Sequence, residues 1–274
     1  MATRAGIRKS LENRVWSDWM AEVIVAVLGG IGIGKSEFIK SMKSLRLGSK
    51  LPSVLITPGE LKIYEESKRV KDIAASVFYP AFQRGDRYGC FAAEVAMLAA
   101  RADQMVEASR DNGIVIVERI PEENRYVFFE NDFRSGLFGD PEKDGIANYF
   151  YDSYCATYSK LRNKTPTPDV FVYIDVSPEV AHRRVIERGR KSESAMSLDY
   201  LTNTQSLYKE LIEDILPNDV PRFGDKLVRI DANNDLSKTD LRRFHLQIEE
   251  RIVQALRRQG WGSGETKRSR LTEY

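Results

Sequence analysis

The sequence predicts an α/β fold, a parallel sheet of five strands with helices on both faces. Three observations carry this. Five short apolar segments alternate with longer stretches of helical pattern. The first segment runs into Gly29-Gly30-Ile31-Gly32-Ile33-Gly34-Lys35-Ser36, which fits G-x-x-x-x-G-K-[ST] between a strand and a helix. Charged clusters stand just after the third, fourth and fifth segments, and ligands on such sheets bind beyond the carboxyl ends of the strands.

Residues 1–21 carry Arg4, Arg8, Lys9 and Arg14, but also Glu12 and Asp18. A transit peptide is poor in acids, so this stretch reads as an N-terminal extension forming an extra helix. Val23–Leu28 is short, uncharged and β-branched, as a buried strand should be. In the next loop, Gly29, Gly30, Gly32 and Gly34 let backbone N–H groups approach phosphate oxygens, and the helix after it adds its positive end. Lys35 reaches the outer phosphates and Ser36 offers its hydroxyl to Mg²⁺. A nucleoside triphosphate is the implied ligand.

The second apolar segment is Ser53–Ile56, followed by Pro58-Gly59-Glu60. Pro58 and Gly59 allow a turn that brings Glu60 past the end of this strand. Glu65 and Glu66 come later and read as part of a helix. Residues 57–90 include Lys62, Lys68, Arg69, Lys71, Arg84 and Arg87, which keeps a phosphate-bearing acceptor open. An alanine-rich helix from Cys90 stops at Asn112-Gly113. Strand Ile114–Val117 then closes on Glu118 and Arg119, charges that need a partner at that depth. Either they pair with each other, or Glu118 supports a metal through water and Arg119 bridges a phosphate and an acceptor hydroxyl.

Strand Val170–Ile174 precedes Ser177-Pro178-Glu179, a helix start with Ser177 as cap. Arg184, Arg188 and Arg190 lie on that helix and in the loop after it, in a pattern suited to a lid over a transferring phosphoryl group. Strand Leu227–Ile230 leads to Asp231-Ala232-Asn233-Asn234-Asp235-Leu236, a polar turn before a long last helix. Residues 259–274 have the polar, basic composition of a disordered tail.

Composition narrows the classes. The chain has 274 residues, 42% hydrophobic, with a net charge of +2. No general field argues for nucleic acid or a membrane surface, and no apolar run reaches the ~18 residues of a membrane span. Cys90 and Cys155 are the only cysteines, too few for a disulfide framework or a zinc site. They read as free thiols of a reducing compartment, and the expected location is cytoplasmic rather than mitochondrial. His182 and His245 are the only histidines, so catalysis should not rest on histidine.

The ordered set of motifs resembles the deoxynucleoside kinase family from about Val23 to Leu256. It comprises the glycine loop, Glu118-Arg119 with Arg125-Tyr126-Val127-Phe128, Pro168-Asp169, Ser177-Pro178-Glu179, Arg188-Gly189-Arg190 with Glu193 and Tyr200-Leu201, and Asp231-Ala232-Asn233 with Asp235-Leu236. The resemblance implies a P-loop kinase fold with a five-stranded parallel sheet and an arginine-rich lid, residues 22–258 as the kinase domain, and commonly a homodimer. It implies transfer of the γ-phosphoryl of ATP, with Mg²⁺, to the 5′-hydroxyl of a deoxynucleoside.

It also implies roles. Residues Gly29 to Ser36 hold the donor phosphates, and Arg119 stands by the reacting hydroxyl. Glu118 and Ser36 support the metal. Arg184, Arg188 and Arg190 clasp the donor, and Asn234, Asp235 and Leu236 frame its base. Glu193 and Tyr79 face the sugar 3′-hydroxyl.

Three departures stand out. The family's catalytic Glu directly follows a Pro, whereas here Gly59 takes that place and Glu60 comes one residue later. Asn124 stands where related kinases have Asp or a small residue. Glu94 occupies the stretch where the family reads the base with Gln. The reading is an ATP-dependent deoxynucleoside kinase with Glu60, Arg119 and Lys35 as catalytic residues and Glu94 and Asn124 at the nucleobase. A nucleoside monophosphate kinase and a catalytically inactive member of the fold are the alternatives.

Overall fold

The structure, a computed structural model, describes residues 21–42, 61–190 and 196–260. Five strands form one sheet, β1 Ala21–Leu28, β2 Leu61–Tyr64, β3 Gly113–Glu118, β4 Val170–Asp175 and β5 Leu227–Asp231. Their order is β2-β3-β1-β4-β5 and every neighbouring pair is parallel. All five carboxyl ends therefore point the same way, and the segments leaving them gather on one edge.

The helices are α1 Lys35–Met42, α2 from Lys68–Ile73 through Ala74–Phe78 to Tyr79–Gln83, and α3 Arg87–Ser109. After β3 comes α4, from Pro121–Glu123 through Asn124–Phe128 to Phe129–Arg134, then α5 Gly145–Arg162. Next are α6 Pro178–Arg188 and α7, from Leu198–Glu210 through Leu211–Ile215 to Leu216–Asp219. A short α8 Phe223–Lys226 leads into β5, and α9 Lys238–Arg258 ends the described chain.

Alternation along the strands builds two cores, because successive side chains leave opposite faces. Val23, Val25 and Val27 of β1 pack with Phe38, Ile39, Phe244 and Ile248 of α1 and α9. Ile24, Ala26 and Leu28 pack with Met105 of α3 and Leu207, Tyr208 and Leu211 of α7. A third, aromatic cluster joins α3, α4 and α5, with the Phe129 and Tyr154 rings stacked 3.7 Å apart and the Phe91 and Phe150 rings 4.4 Å apart.

Four expected strands are present within a residue or two. The second is not where the apolar text placed it. Ser53–Ile56 lies outside the described residues, and the strand is Leu61–Tyr64, paired with β3 from Leu61 opposite Ile114 to Tyr64 opposite Val117. The physical reason is position. β2 is an edge strand, so none of its residues is buried and Lys62 reaches out to Asp111. Such a strand lacks the continuous apolar run of its buried neighbours. Ser177 caps α6 as expected, accepting from Val180 N at 3.4 Å.

Phe129 is fully buried and touches four other aromatic rings of its cluster besides Tyr154. Phe129→Ala should lower the unfolding free energy by about 3–5 kcal/mol, read from the urea midpoint at unchanged slope.

Candidate functional site

The site is assembled from the carboxyl ends of β1, β2 and β3. After β1 the chain enters the glycine loop, where Gly29, Gly32 and Gly34 have positive φ. Gly32 shows why glycine is needed: at φ +78° a Cβ would sit 2.5 Å from the Ala181 carbonyl oxygen of α6. The loop is thus packed against the helix that carries Arg184.

Lys35 is buried and folds back, its Nζ donating to the Gly29 carbonyl at 2.8 Å and the Gly30 carbonyl at 2.5 Å. Burial, helped by the nearby Arg119 charge, pulls the Lys35 ammonium down to about 7. Negative charge brought into the loop would restore it. Ser36 is exposed at the first turn of α1.

Arg119 closes β3 in a left-handed backbone conformation, φ +70°. Its N–H donates to Val27 O at 3.0 Å, which ties it to β1. The guanidinium is buried. Its Nη1 donates to Gly29 O at 3.2 Å and to the Tyr208 hydroxyl at 3.1 Å. It pairs with Glu66 at 3.4 Å and Glu123 at 3.5 Å, and lies over the Phe128 ring at 4.6 Å. Of the two readings of Glu118 and Arg119, the mutual ion pair is not the arrangement formed: Arg119 turns to Glu66 and Glu123, while Glu118 accepts from Glu66 N at 3.2 Å.

The carboxylate past the second strand is Glu66. Glu60 lies outside the described residues, and its expected place after the second strand falls to Glu65 and Glu66, which come directly after β2 and precede α2. The expectation that they sit on a helix was wrong because α2 begins at Lys68, capped by Ser67. Burial alone would raise the Glu66 carboxyl, but the charges of Arg101, Arg119 and Lys35 outweigh it and hold the group down at about 2.

Arg101 completes this corner. It is buried on α3, paired with Glu66 Oε1, and donates to Asn124 Oδ1. Asn124, 1% exposed, opens a widened helical turn, Asn124–Phe128. Such π-type turns recur at functional sites. Glu94 is buried on the same face of α3 as Arg101, beside Asn124 and Tyr154.

Behind Arg119 sits Glu123, with no exposed surface. Its Oε1 accepts from Gly29 N at 3.1 Å and from the Tyr208 hydroxyl at 2.6 Å, and its Oε2 accepts from Ile120 N at 2.9 Å. One carboxylate thus links the glycine loop, the turn after β3 and α7.

On the other side of the loop, Arg184 pairs with Asp235 at 3.4 Å, which brings α6 to the turn after β5. In that turn Asn233 Oδ1 accepts from Ser177 N at 2.7 Å and Leu236 packs on the core. Arg188 and Arg190 are exposed at the end of α6. Tyr79, half-buried on α2, stacks edge-on against Phe78. Glu193 lies outside the described residues. The parts played by Glu66, Arg101, Glu123 and Tyr208 escaped the sequence reading. Only Arg101 had a visible cue, an arginine seven residues after Glu94 on the buried stripe of an alanine-rich helix.

Comparison with known proteins bears on this arrangement. A family model described as "Deoxynucleoside kinase" matches residues 25–254. The chain is 27% identical over 192 residues to "Deoxyadenosine kinase" of Dictyostelium discoideum, covering 70% of this chain and 67% of that protein. It is 30% identical over 99 residues to "Thymidine kinase 2, mitochondrial" of Homo sapiens, covering 36% of this chain and 35% of the relative. It is 25% identical over 164 residues to "Deoxycytidine kinase 2" of Gallus gallus, covering 58% of each.

Removing the carboxylate behind Arg119 tests the network. Glu123→Ala should cost about 3–5 kcal/mol in urea unfolding, since it strips a buried charge of its partner. Glu123→Gln should cost less, because the amide oxygen still accepts from Gly29 N and Tyr208.

Proposed function

The chain belongs to the deoxynucleoside kinase family, and on that premise we propose that it transfers the γ-phosphoryl group of ATP to the 5′-hydroxyl of a deoxynucleoside. The observation that carries this is the meeting of Lys35, Arg119 and Glu66 where three strand ends converge. Phosphoryl transfer asks mainly for positioning and charge neutralisation. The loop Gly29–Ser36 takes the donor phosphates and Lys35 the outer ones. Arg119 stands between them and the acceptor. Glu66, rather than Glu60, takes the proton of the attacking hydroxyl. Its low proton affinity keeps it ionised and so able to accept that proton.

Arg184, Arg188 and Arg190 close over the donor, and Asn234, Asp235 and Leu236 frame its base. Arg101, Asn124 and Glu94 line the acceptor's base, with Tyr79 and Glu193 toward its sugar. Ser36 and Glu118 are the groups that would hold Mg²⁺. Both offer hard oxygen donors, and the described residues contain no cluster of three His, Cys, Asp or Glu that would cage a metal by itself. That donor set suits an ion held largely by phosphates and water. When bound, the ion neutralises phosphate charge. A homodimer belongs to the same proposal. Among the described residues no helix is long and apolar enough to cross a membrane.

The test is phosphorylation of the four natural deoxynucleosides and their monophosphates with ATP and Mg²⁺. Nucleosides should be the acceptors. Glu66→Gln should lower kcat by roughly 10²- to 10⁴-fold with ATP affinity unchanged. Turnover of monophosphates alone would replace the acceptor, and full activity of a folded Glu66→Gln would remove Glu66 as the base.

A further inference from the structure

Resting on that nucleoside-kinase reading, we propose that Tyr208 is a positioning residue for phosphoryl transfer. Its hydroxyl holds Arg119 on neutral oxygens and out of a closed ion pair with Glu123, so that phosphate can draw the guanidinium to itself.

The geometry comes first. Glu66 and Glu123 both lie within ion-pairing reach of Arg119, at 3.4 and 3.5 Å. Yet Nη1 hydrogen-bonds to two neutral oxygens, Gly29 O at 3.2 Å and the Tyr208 hydroxyl at 3.1 Å, and Nε makes no hydrogen bond. The hydroxyl accepts from Arg119 and gives its own proton to Glu123 Oε1 at 2.6 Å. Glu123 takes its other protons from Gly29 N at 3.1 Å and Ile120 N at 2.9 Å. A carboxylate beside a guanidinium is thus served mainly by neutral donors.

Tyr208 is well placed to keep this arrangement. It has no exposed surface, and its ring stacks on Tyr173 at 5.9 Å and stands edge-on to Phe128 at 6.3 Å. Packing on both aromatic neighbours fixes where the hydroxyl sits. Burial, and the Glu123 charge next to it, push the phenol well above the ordinary tyrosine range, so it stays protonated and able to donate.

The consequence is energetic. A guanidinium–carboxylate hydrogen bond is charge-assisted and roughly twice as strong as one to a neutral oxygen. An arginine closed on Glu123 would have to break such a bond before meeting an anion. Held on neutral oxygens it needs only a small movement, and phosphoryl transfer depends on charge neutralisation of that kind. Without the hydroxyl, Nη1 keeps only Gly29 O, and Glu123 Oε1 loses its nearest donor. One movement repairs both losses, Arg119 onto Glu123.

The experiment uses Tyr208→Phe, which keeps the ring and removes the hydroxyl. With ATP, Mg²⁺ and the best deoxynucleoside, kcat per folded enzyme should fall by about 10- to 100-fold, as expected for a displaced catalytic group. Calorimetric Kd values for ATP and nucleoside should stay as in the wild type. The double variant Tyr208→Phe/Glu123→Gln has no anion to capture Arg119, so its kcat should recover severalfold over Tyr208→Phe. A merely structural role predicts the reverse, since two buried lesions make the enzyme worse. Gln205→Ala is the control. It loosens the same helix by removing the bonds to Asp175 at 2.5 Å and the Tyr173 hydroxyl at 3.3 Å, and should leave kcat unchanged. Thermal midpoints check that each variant folds.

A folded Tyr208→Phe with wild-type kcat, a double variant slower than Tyr208→Phe, or an equal fall in Gln205→Ala overturns the proposal, while wild-type turnover upholds the kinase reading. If Tyr208→Phe does not fold, the comparison is made within Glu123→Gln. There, adding Tyr208→Phe should leave kcat nearly as it was, and a further large fall overturns the proposal. A wild type that binds ATP but phosphorylates no nucleoside removes both.

Discussion

The buried charge of Arg119 is the constraint that organises this protein. A guanidinium does not shed its proton inside a protein, so every direction it faces must supply an acceptor or a π-face. Gly29 O, the Tyr208 hydroxyl, Glu66, Glu123 and the Phe128 ring surround it, although the Nε only pairs with the Glu66 charge at 3.4 Å and makes no hydrogen bond. These groups come from the glycine loop, the end of β2, α4 and α7. The charge therefore sets how four separate parts of the chain are arranged. Its backbone is strained too, since φ +70° costs a side-chain-bearing residue roughly 1–2 kcal/mol. The strain is held by hydrogen bonds on both sides, Arg119 N to Val27 O and Ile120 N to Glu123. Strain of this kind collects where a side chain must be aimed.

Charge balance ties the glycine loop to the ends of β2 and β3. Lys35, Arg101 and Arg119 stand among Glu66, Glu118 and Glu123, all on the same edge of the sheet. Lys35 is held by carbonyls of its own loop, so phosphates entering that loop compete for the same Nζ. Any shift of Lys35 or Arg119 toward an anion changes the field at Glu66. The glycine loop, Arg119 and Glu66 are thus linked by electrostatics within one buried cluster.

The aromatic layer joining α3, α4 and α5 has a different task. Phe129, Phe138, Phe150 and Tyr154 lock α3, α4 and α5 together. That packing fixes Glu94, Arg101 and Asn124, which have little freedom once buried. The widened turn at Asn124–Phe128 points Asn124 toward Arg101 while Phe128 stays under both guanidinium groups. Rigid apolar packing thus holds a polar corner whose members hydrogen-bond one another.

The alternation of strands and helices, the glycine loop, Lys35, Ser36, Glu118 and Arg119 were legible in the sequence because they are local. A phosphate loop needs consecutive residues, and a buried strand announces itself by composition. The Ser177 cap and the last helix were legible for the same reason. Glu66 was not, because an edge strand with no buried residue, Leu61–Tyr64, leaves a weak trace beside the more apolar Ser53–Ile56. Nor were Arg101, Glu123 and Tyr208, whose roles depend on partners 35, 94 and 85 residues away. Composition specifies which segments are buried, but which charge meets which is decided only when parallel strands bring distant carboxyl ends to one edge and burial forces each charge to find a partner.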